Sequence, residues 1–217
     1  MKKTIGFLCL LLAFSSCKDA DYYKEKAMEY AKNKEYDKAI SYLDKAIDKD
    51  SESVKAYVER GTMRFAIEDY ELAVADFTKA VNIKMGNPYA YYFRGRAYTY
   101  LEEYEKALQD LNLSYKIMYR RENSVRFDFP GAFEYDVPSV DIAYDRASVY
   151  YQLDSLTQAL HDFNYCLDKE AHIPEALYMR GLIYNKEGHV EKACNDFREA
   201  YSLGVNEALE QMKKYCN

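Results

Sequence analysis

Apolar positions along this chain recur at helical rather than alternating spacing. Ala39, Ala73 and Ala107 lie 34 residues apart, as do Ala159 and Ala193, while Ala107 and Ala159 are separated by 52, one such period plus 18. Four further registers keep the same period and the same interruption. They are the small residues Ala27, Gly61, Gly95, Ala147 and Gly181, the large apolar residues Leu43, Phe77, Leu111, Phe163 and Phe197, a second small series Ala46, Ala80, Ser114, Cys166 and Ala200, and the series Tyr36, Tyr70, Tyr104, Leu156 and Val190. This agreement identifies an internal repeat. Only 8 Gly and 4 Pro occur in 217 residues, against many Ala, Lys, Glu and Leu, which predicts an all-α chain. Ala208, Leu209, Met212 and Tyr215 predict a short last helix over 208–217, covering an end that would otherwise expose core.

The stretch Tyr-Phe-Arg-Gly-Arg-Ala-Tyr at 92–98, followed by Tyr-Glu-Lys-Ala-Leu-Gln-Asp-Leu at 104–111, resembles the tetratricopeptide-repeat (TPR) family. The resemblance covers 20–121 and 140–207. It implies a right-handed superhelix, an α-solenoid of about five helix-turn-helix units at 20–53, 54–87, 88–121, 140–173 and 174–207, with an insertion at 122–139 and a capping helix at 208–217. The chain departs from the family in several places. Arg64 stands where the second unit should carry an aromatic, position 4 is Tyr or aliphatic rather than Trp, and the Pro usual near position 32 is missing, while Pro88 and Pro174 open units instead.

In that family positions 2, 5, 9 and 12 of each first helix face a groove. Carried onto this chain, the groove holds Tyr89, Tyr92, Arg96, Tyr144, Tyr151 and Tyr178 with an acidic rim. Tyr combines rigid apolar area with a polar tip and suits protein recognition. Two readings stand: a groove for a peptide or partner helix, or tyrosines packed between helices. The Lys and Asn pattern with which chaperone-binding members clamp a C-terminal carboxylate is absent.

Position 7 is Arg in four units (Arg60, Arg94, Arg146, Arg180), and each Arg is followed 16 residues later by an Asp (Asp76, Asp110, Asp162, Asp196). The first unit lacks both, carrying Lys26 and Tyr42. Presence and absence track together, which favours a ladder of ion pairs over a charged ligand site.

The insertion carries Phe127, Phe129, Phe133, Tyr135 and Val137, too apolar for a free linker, around a Pro130-Gly131 turn. It is a candidate binding loop, or else a flap over the junction of units three and four.

Residues 1–16 read as a secretory signal: Lys2 and Lys3, an apolar run from Ile5 to Phe14, then Ser15 and Ser16. The run is short of the ~20 residues that span a bilayer. Leu12 to Cys17 resembles a bacterial lipobox, with Phe14 in place of the usual Leu. The resemblance implies a lipoprotein whose Cys17 carries the lipid, palmitate included, on a tether at 17–19, anchored in the cell envelope. Lys18, where an Asp would mean inner-membrane retention, points to the outer membrane. The other reading is an ordinary signal peptide with an incidental Cys. Without Lys2 and Lys3, 28 basic residues face 36 acidic ones, a net charge of −8 that disfavours nucleic acid and adhesion of the body to anionic lipid.

Little else suggests chemistry. Cys166 falls at a small core position. An exported, oxidising compartment permits Cys194 and Cys216 to bridge and staple the cap. His161, His172 and His189 are scattered, so no metal site is predicted, and no catalytic set or phosphate loop is recognisable. No cofactor and no small-molecule substrate are expected. The reading is a non-catalytic scaffold for a protein or peptide, with membrane contact through the lipid only. The alternative is an assembly component of an outer-membrane machine working through the solenoid edges.

Overall fold

A computed structural model describes residues 20–123 and 137–216. The proposed signal and Cys17, and the insertion residues Phe127, Phe129, Phe133 and Tyr135, lie outside the described residues. Among the described residues there are eleven helices and no strand: α1 (20–32), α2 (Tyr36–Lys49), α3 (Val54–Ala66), α4 (Tyr70–Ile83), α5 (Pro88–Tyr100), α6 (Tyr104–Asn123), α7 (Ser139–Gln152), α8 (Leu156–Asp168), α9 (Ile173–Lys186), α10 (Val190–Ser202) and α11 (Glu207–Tyr215). None is long and apolar enough to cross a membrane.

The chain divides into two compact units, one ending at Leu101 and one beginning at Glu102. In the first, α2 packs on α3, α3 on α4 and α4 on α5; in the second, each helix from α6 to α10 packs on the one after it. Beyond such neighbours, helices meet chiefly two apart, α3 with α5 and α7 with α9. Contact restricted to sequence neighbours is the organisation of a solenoid.

The periodic residues are the seam that makes this packing work. Ala39, Leu43 and Ala46, Ala73, Phe77 and Ala80, Ala107 and Leu111, Ala159, Phe163 and Cys166, and Ala193, Phe197 and Ala200 are all fully buried. A small residue on one helix lets the large residue of the next lie against its backbone. At Gly181 this approach is closest: an added Cβ would stand 2.6 Å from the Phe197 ring. At Gly61 the corresponding Phe77 atoms are 3.0 Å away.

Each unit turns at a residue in the left-handed region: Lys34, Glu68, Glu102, Asp154 and Gly188, again at the repeat period. The residue that follows donates its backbone N–H back to a carbonyl five residues earlier. The bonds run from Glu35 to Tyr30 (3.0 Å), Asp69 to Arg64 (2.9 Å), Ser155 to Tyr150 (2.9 Å) and His189 to Tyr184 (2.8 Å). This is the Schellman closure of a helix end. At the other type of junction, Pro88 occupies the first turn of α5, where its missing N–H costs nothing, and the Asn87 side chain accepts from Ala90 N at 3.1 Å.

Two details mark the second unit. Helix α6 has 20 residues where α2 and α4 have 14. Glu122 near its end accepts from the backbone N–H of Ser139 (2.7 Å) and from the Ser139 hydroxyl, which lies 3.0 Å from the Tyr165 hydroxyl. The start of α7 is thereby tied to the end of α6. At the C-terminus Cys194 is bonded to Cys216, joining α10 to α11.

Candidate functional site

The Arg–Asp positions form paired contacts inside the units. Arg60 donates to both Asp76 oxygens (2.9 and 2.5 Å), Arg146 to both Asp162 oxygens (2.7 and 2.9 Å) and Arg180 to both Asp196 oxygens (2.8 Å each). Asp76, Asp162 and Asp196 are buried, and this two-point geometry suits the planar guanidinium. Arg94 belongs to the first unit and Asp110 to the second, so the pairing expected of those two stays an expectation.

Sequence spacing did not reveal a third partner. The Nη1 of each Arg reaches back to the preceding repeat: Arg60 to Asp44 (2.7 Å), Arg94 to Thr78 (3.1 Å), Arg146 to Asn112 (3.0 Å) and Arg180 to Asn164 (2.8 Å). Asp44, Thr78, Asn112 and Asn164 share position 25 of their units, a polar register that could have been read from the chain. Arg60, Arg146 and Arg180 therefore each join three helices rather than two. Arg64, the departure at position 11, donates to Asp76 at 2.7 Å and so belongs to the same network.

The tyrosines of the expected groove are distributed unevenly. Tyr92 is 7% exposed, beside Phe93 and under Arg96, so its ring offers a partner almost no surface. Arg96 lies over the rings of Phe65, Tyr92 and Phe93 at 5.1–5.5 Å, a cation–π arrangement that holds it in place. Burial raises the Tyr89 phenol, which bonds the Thr62 side chain. In the second unit Tyr144 is stacked on His172 at 4.6 Å, and His172 Nε2 lies 2.7 Å from Asp141 Oδ1. Burial, with the charges of Glu175 and Asp145, pushes the Tyr144 hydroxyl up to about 12. Tyr178 leans on Phe197 (6.1 Å), and Lys186 lies over Tyr151 (5.8 Å). The tyrosines that remain half-exposed are Tyr89, Tyr144, Tyr151 and Tyr178, and all of them also carry internal contacts.

An open cleft of about 660 Å³ lies instead at the start of the first unit. One row of α1 supplies Asp21, Glu25 and Glu29, and the neighbouring row Lys24, Met28 and Lys32. Lys55 and Glu59 of α3 close the other side. The rows follow from i, i+4 spacing on one helix face. Asp21, Lys24 and Lys55 fall at positions 2 and 5 of their repeats, the face that the family resemblance assigns to the groove. Lys24 Nζ is 2.7 Å from Asp21 Oδ1, and its hydrogen bond and charge hold the Asp21 carboxyl below its ordinary value. The lining presents both signs of charge around one thioether, with no catalytic arrangement. Among the described residues no cluster of His, Cys, Asp and Glu could hold a metal ion.

Two sequence models, both described as Tetratricopeptide repeat, match residues 24–88, and 88–117 with 174–203. No curated protein matches the sequence. Solved structures similar to the fold include YrrB, a TPR protein with an unusual peptide-binding site (TM-score 0.73, 23% identity, 90% of this chain and 92% of that one). Pseudomonas aeruginosa pilF is similar over 88% of this chain and 79% of its own (TM-score 0.68, 17% identity). The first TPR of Spaghetti (RPAP3), bound to an HSP90 peptide, covers 64% of this chain and 95% of its own (TM-score 0.53, 22% identity). With the five-fold seam and neighbour-only packing, the two sequence matches settle the family: this chain is a member of the tetratricopeptide-repeat proteins.

Proposed function

We propose that the chain is a non-catalytic scaffold that holds a segment of another protein against the first-helix face of its opening repeats. The observation that carries this reading is the cleft between α1 and α3. It is open, it lies where successive first helices meet, and it sets an acidic row beside a basic one. A peptide backbone with both acidic and basic side chains finds partners there, and Met28 adapts to an apolar one. That YrrB has a peptide-binding site and the RPAP3 domain holds a peptide supports the reading by analogy of fold.

A photo-crosslinking amino acid at Met28, introduced in the native envelope, tests it. Capture of one protein, competed by its own peptide and lost with Lys24→Glu and Lys32→Glu together, is the expected result. Capture only from the exposed Leu203, at the C-terminal edge, would instead favour an assembly component working through the solenoid edges.

The membrane part of the proposal rests on the N-terminal pattern. Cys17 carries the lipid and holds the folded body at the outer membrane. Two or more acyl chains on one residue give stable anchoring where a single chain is marginal. Metabolic labelling with an alkyne palmitate should mark the chain, and Cys17→Ser should abolish the label and move the protein to the soluble fraction. A labelled Cys17→Ser protein would reject the assignment.

A further inference from the structure

The last helix is short, rests on one buried residue and a Tyr215–Asn185 hydrogen bond, and is tied down by one covalent bond. Helix α11 has nine residues, too few for stable helix in isolation, and Ala208 is its one buried residue. It packs against α10. Its Lys213–Glu210 pair is solvent-exposed, and no side chain caps its first turn. Beneath it lies the end of the apolar seam, Leu177, Ala193, Phe197 and Ala200, which Ala208, Val205, Met212 and Cys216 cover. The Cys194–Cys216 bond closes 22 residues of chain across this contact.

We infer that this disulfide is a redox latch: while oxidised it keeps α11 docked over the end of the fifth repeat, and a dithiol releases the helix without unfolding the repeats beneath. The exchange is balanced by the reductant. A thiolate attacks Sγ of Cys216, the more exposed of the two residues, since Cys194 is 5% exposed. The S–S bond breaks, Cys194 leaves as a thiolate and takes a proton, and a mixed disulfide forms on Cys216. The second thiol of the reductant then displaces Cys216, so two protein thiols form as the dithiol becomes a disulfide. The free cysteine in the described region, Cys166, is buried elsewhere in the second unit, and burial pushes its thiol up to about 12, so it does not compete in the exchange. The latch does not depend on the partner or the lipid proposed above.

Hydrogen exchange on the full-length protein, oxidised and after dithiothreitol, tests it. Peptides from 205–216 should exchange roughly 100-fold faster on reduction, as expected when the loop constraint is lifted. Those from α7 and α8 should keep their protection. The Cys194→Ser, Cys216→Ser double variant should match the reduced protein and ignore dithiothreitol, with an unchanged helical circular-dichroism spectrum confirming that it folds. Unchanged exchange over 205–216 would show that packing alone docks the helix. Loss of protection throughout the second unit would show a bond that holds the unit rather than a latch. Free thiols at both positions in protein taken directly from cells would overturn the proposal as well.

Discussion

Arg146 shows how much one side chain does in this protein. It makes two bonds to Asp162 and one to Asn112, and its guanidinium lies 4.0 Å from the centre of the Tyr115 ring. The pair is buried, so truncating one partner leaves a charge without compensation. Arg146→Ala is expected to cost about 3–5 kcal/mol in urea unfolding, and Asp162→Ala nearly as much. The double variant should cost far less than the sum; additive losses would exclude the coupling. By contrast, Asp44 is half-exposed, and Asp44→Ala should cost at most about 1 kcal/mol. The glycine seam predicts a second contrast. Gly61→Ala gains helix propensity and meets a tolerable contact, so it should shift stability by less than about 0.5 kcal/mol. Gly181→Ala drives a methyl into the Phe197 ring and should cost about 1–2 kcal/mol. Tyr115 and Tyr144 supply a pH test. Burial raises both hydroxyls to about 12, so the folded state favours the neutral phenol. The stability this gives is complete below pH 10, the unfolded value, and falls as pH rises from 10 towards 12. Ultraviolet titration should show a tyrosinate fraction that ionises late, and Tyr144→Phe should remove part of it.

At the scale of the element, the helix ends are where the sequence strains against its own fold. Four of the five turn residues with positive φ are not glycine. A side chain there costs roughly 1 kcal/mol relative to glycine. Glu68→Gly should therefore stabilise the α3–α4 turn, by at most about 1 kcal/mol because glycine also loosens the unfolded chain. Gly188→Ala should destabilise the α9–α10 turn by a similar amount. Thermal unfolding of the two variants would show opposite shifts of melting temperature; shifts of the same sign would refute this account of the turns. The α5 start behaves as its sequence suggests, and Asn87→Ala should cost about 1 kcal/mol through the lost cap.

For the whole molecule, neighbour-only packing makes stability a sum of repeat terms and interface terms. Damage should stay local. Arg180→Ala should speed hydrogen exchange in α8, α9 and α10 while residues 20–80 keep their protection; uniform loosening of the chain would mean a cooperative unit larger than the solenoid model allows.

Much of this architecture was legible because a repeat states its core several times over. Four of the five registers are buried at every position, as the period requires, while the Tyr36, Tyr70, Tyr104, Leu156 and Val190 series stays partly or largely exposed. The Arg–Asp spacing was readable for the same reason. What the chain alone settled is therefore the all-α class, the repeat and the seam, since helical periodicity and side-chain size are local properties. Tertiary structure decided the rest. Position 25 became a further partner of each Arg only when successive repeats stacked. Tyr92 is buried beside Phe93, and Arg96 is held over Phe65, Tyr92 and Phe93, because neighbouring helices bring these rings together. The cleft formed on α1 and α3 because two rows of charge from one helix came to face a second helix, and such a juxtaposition is a property of packing that no single stretch of sequence contains.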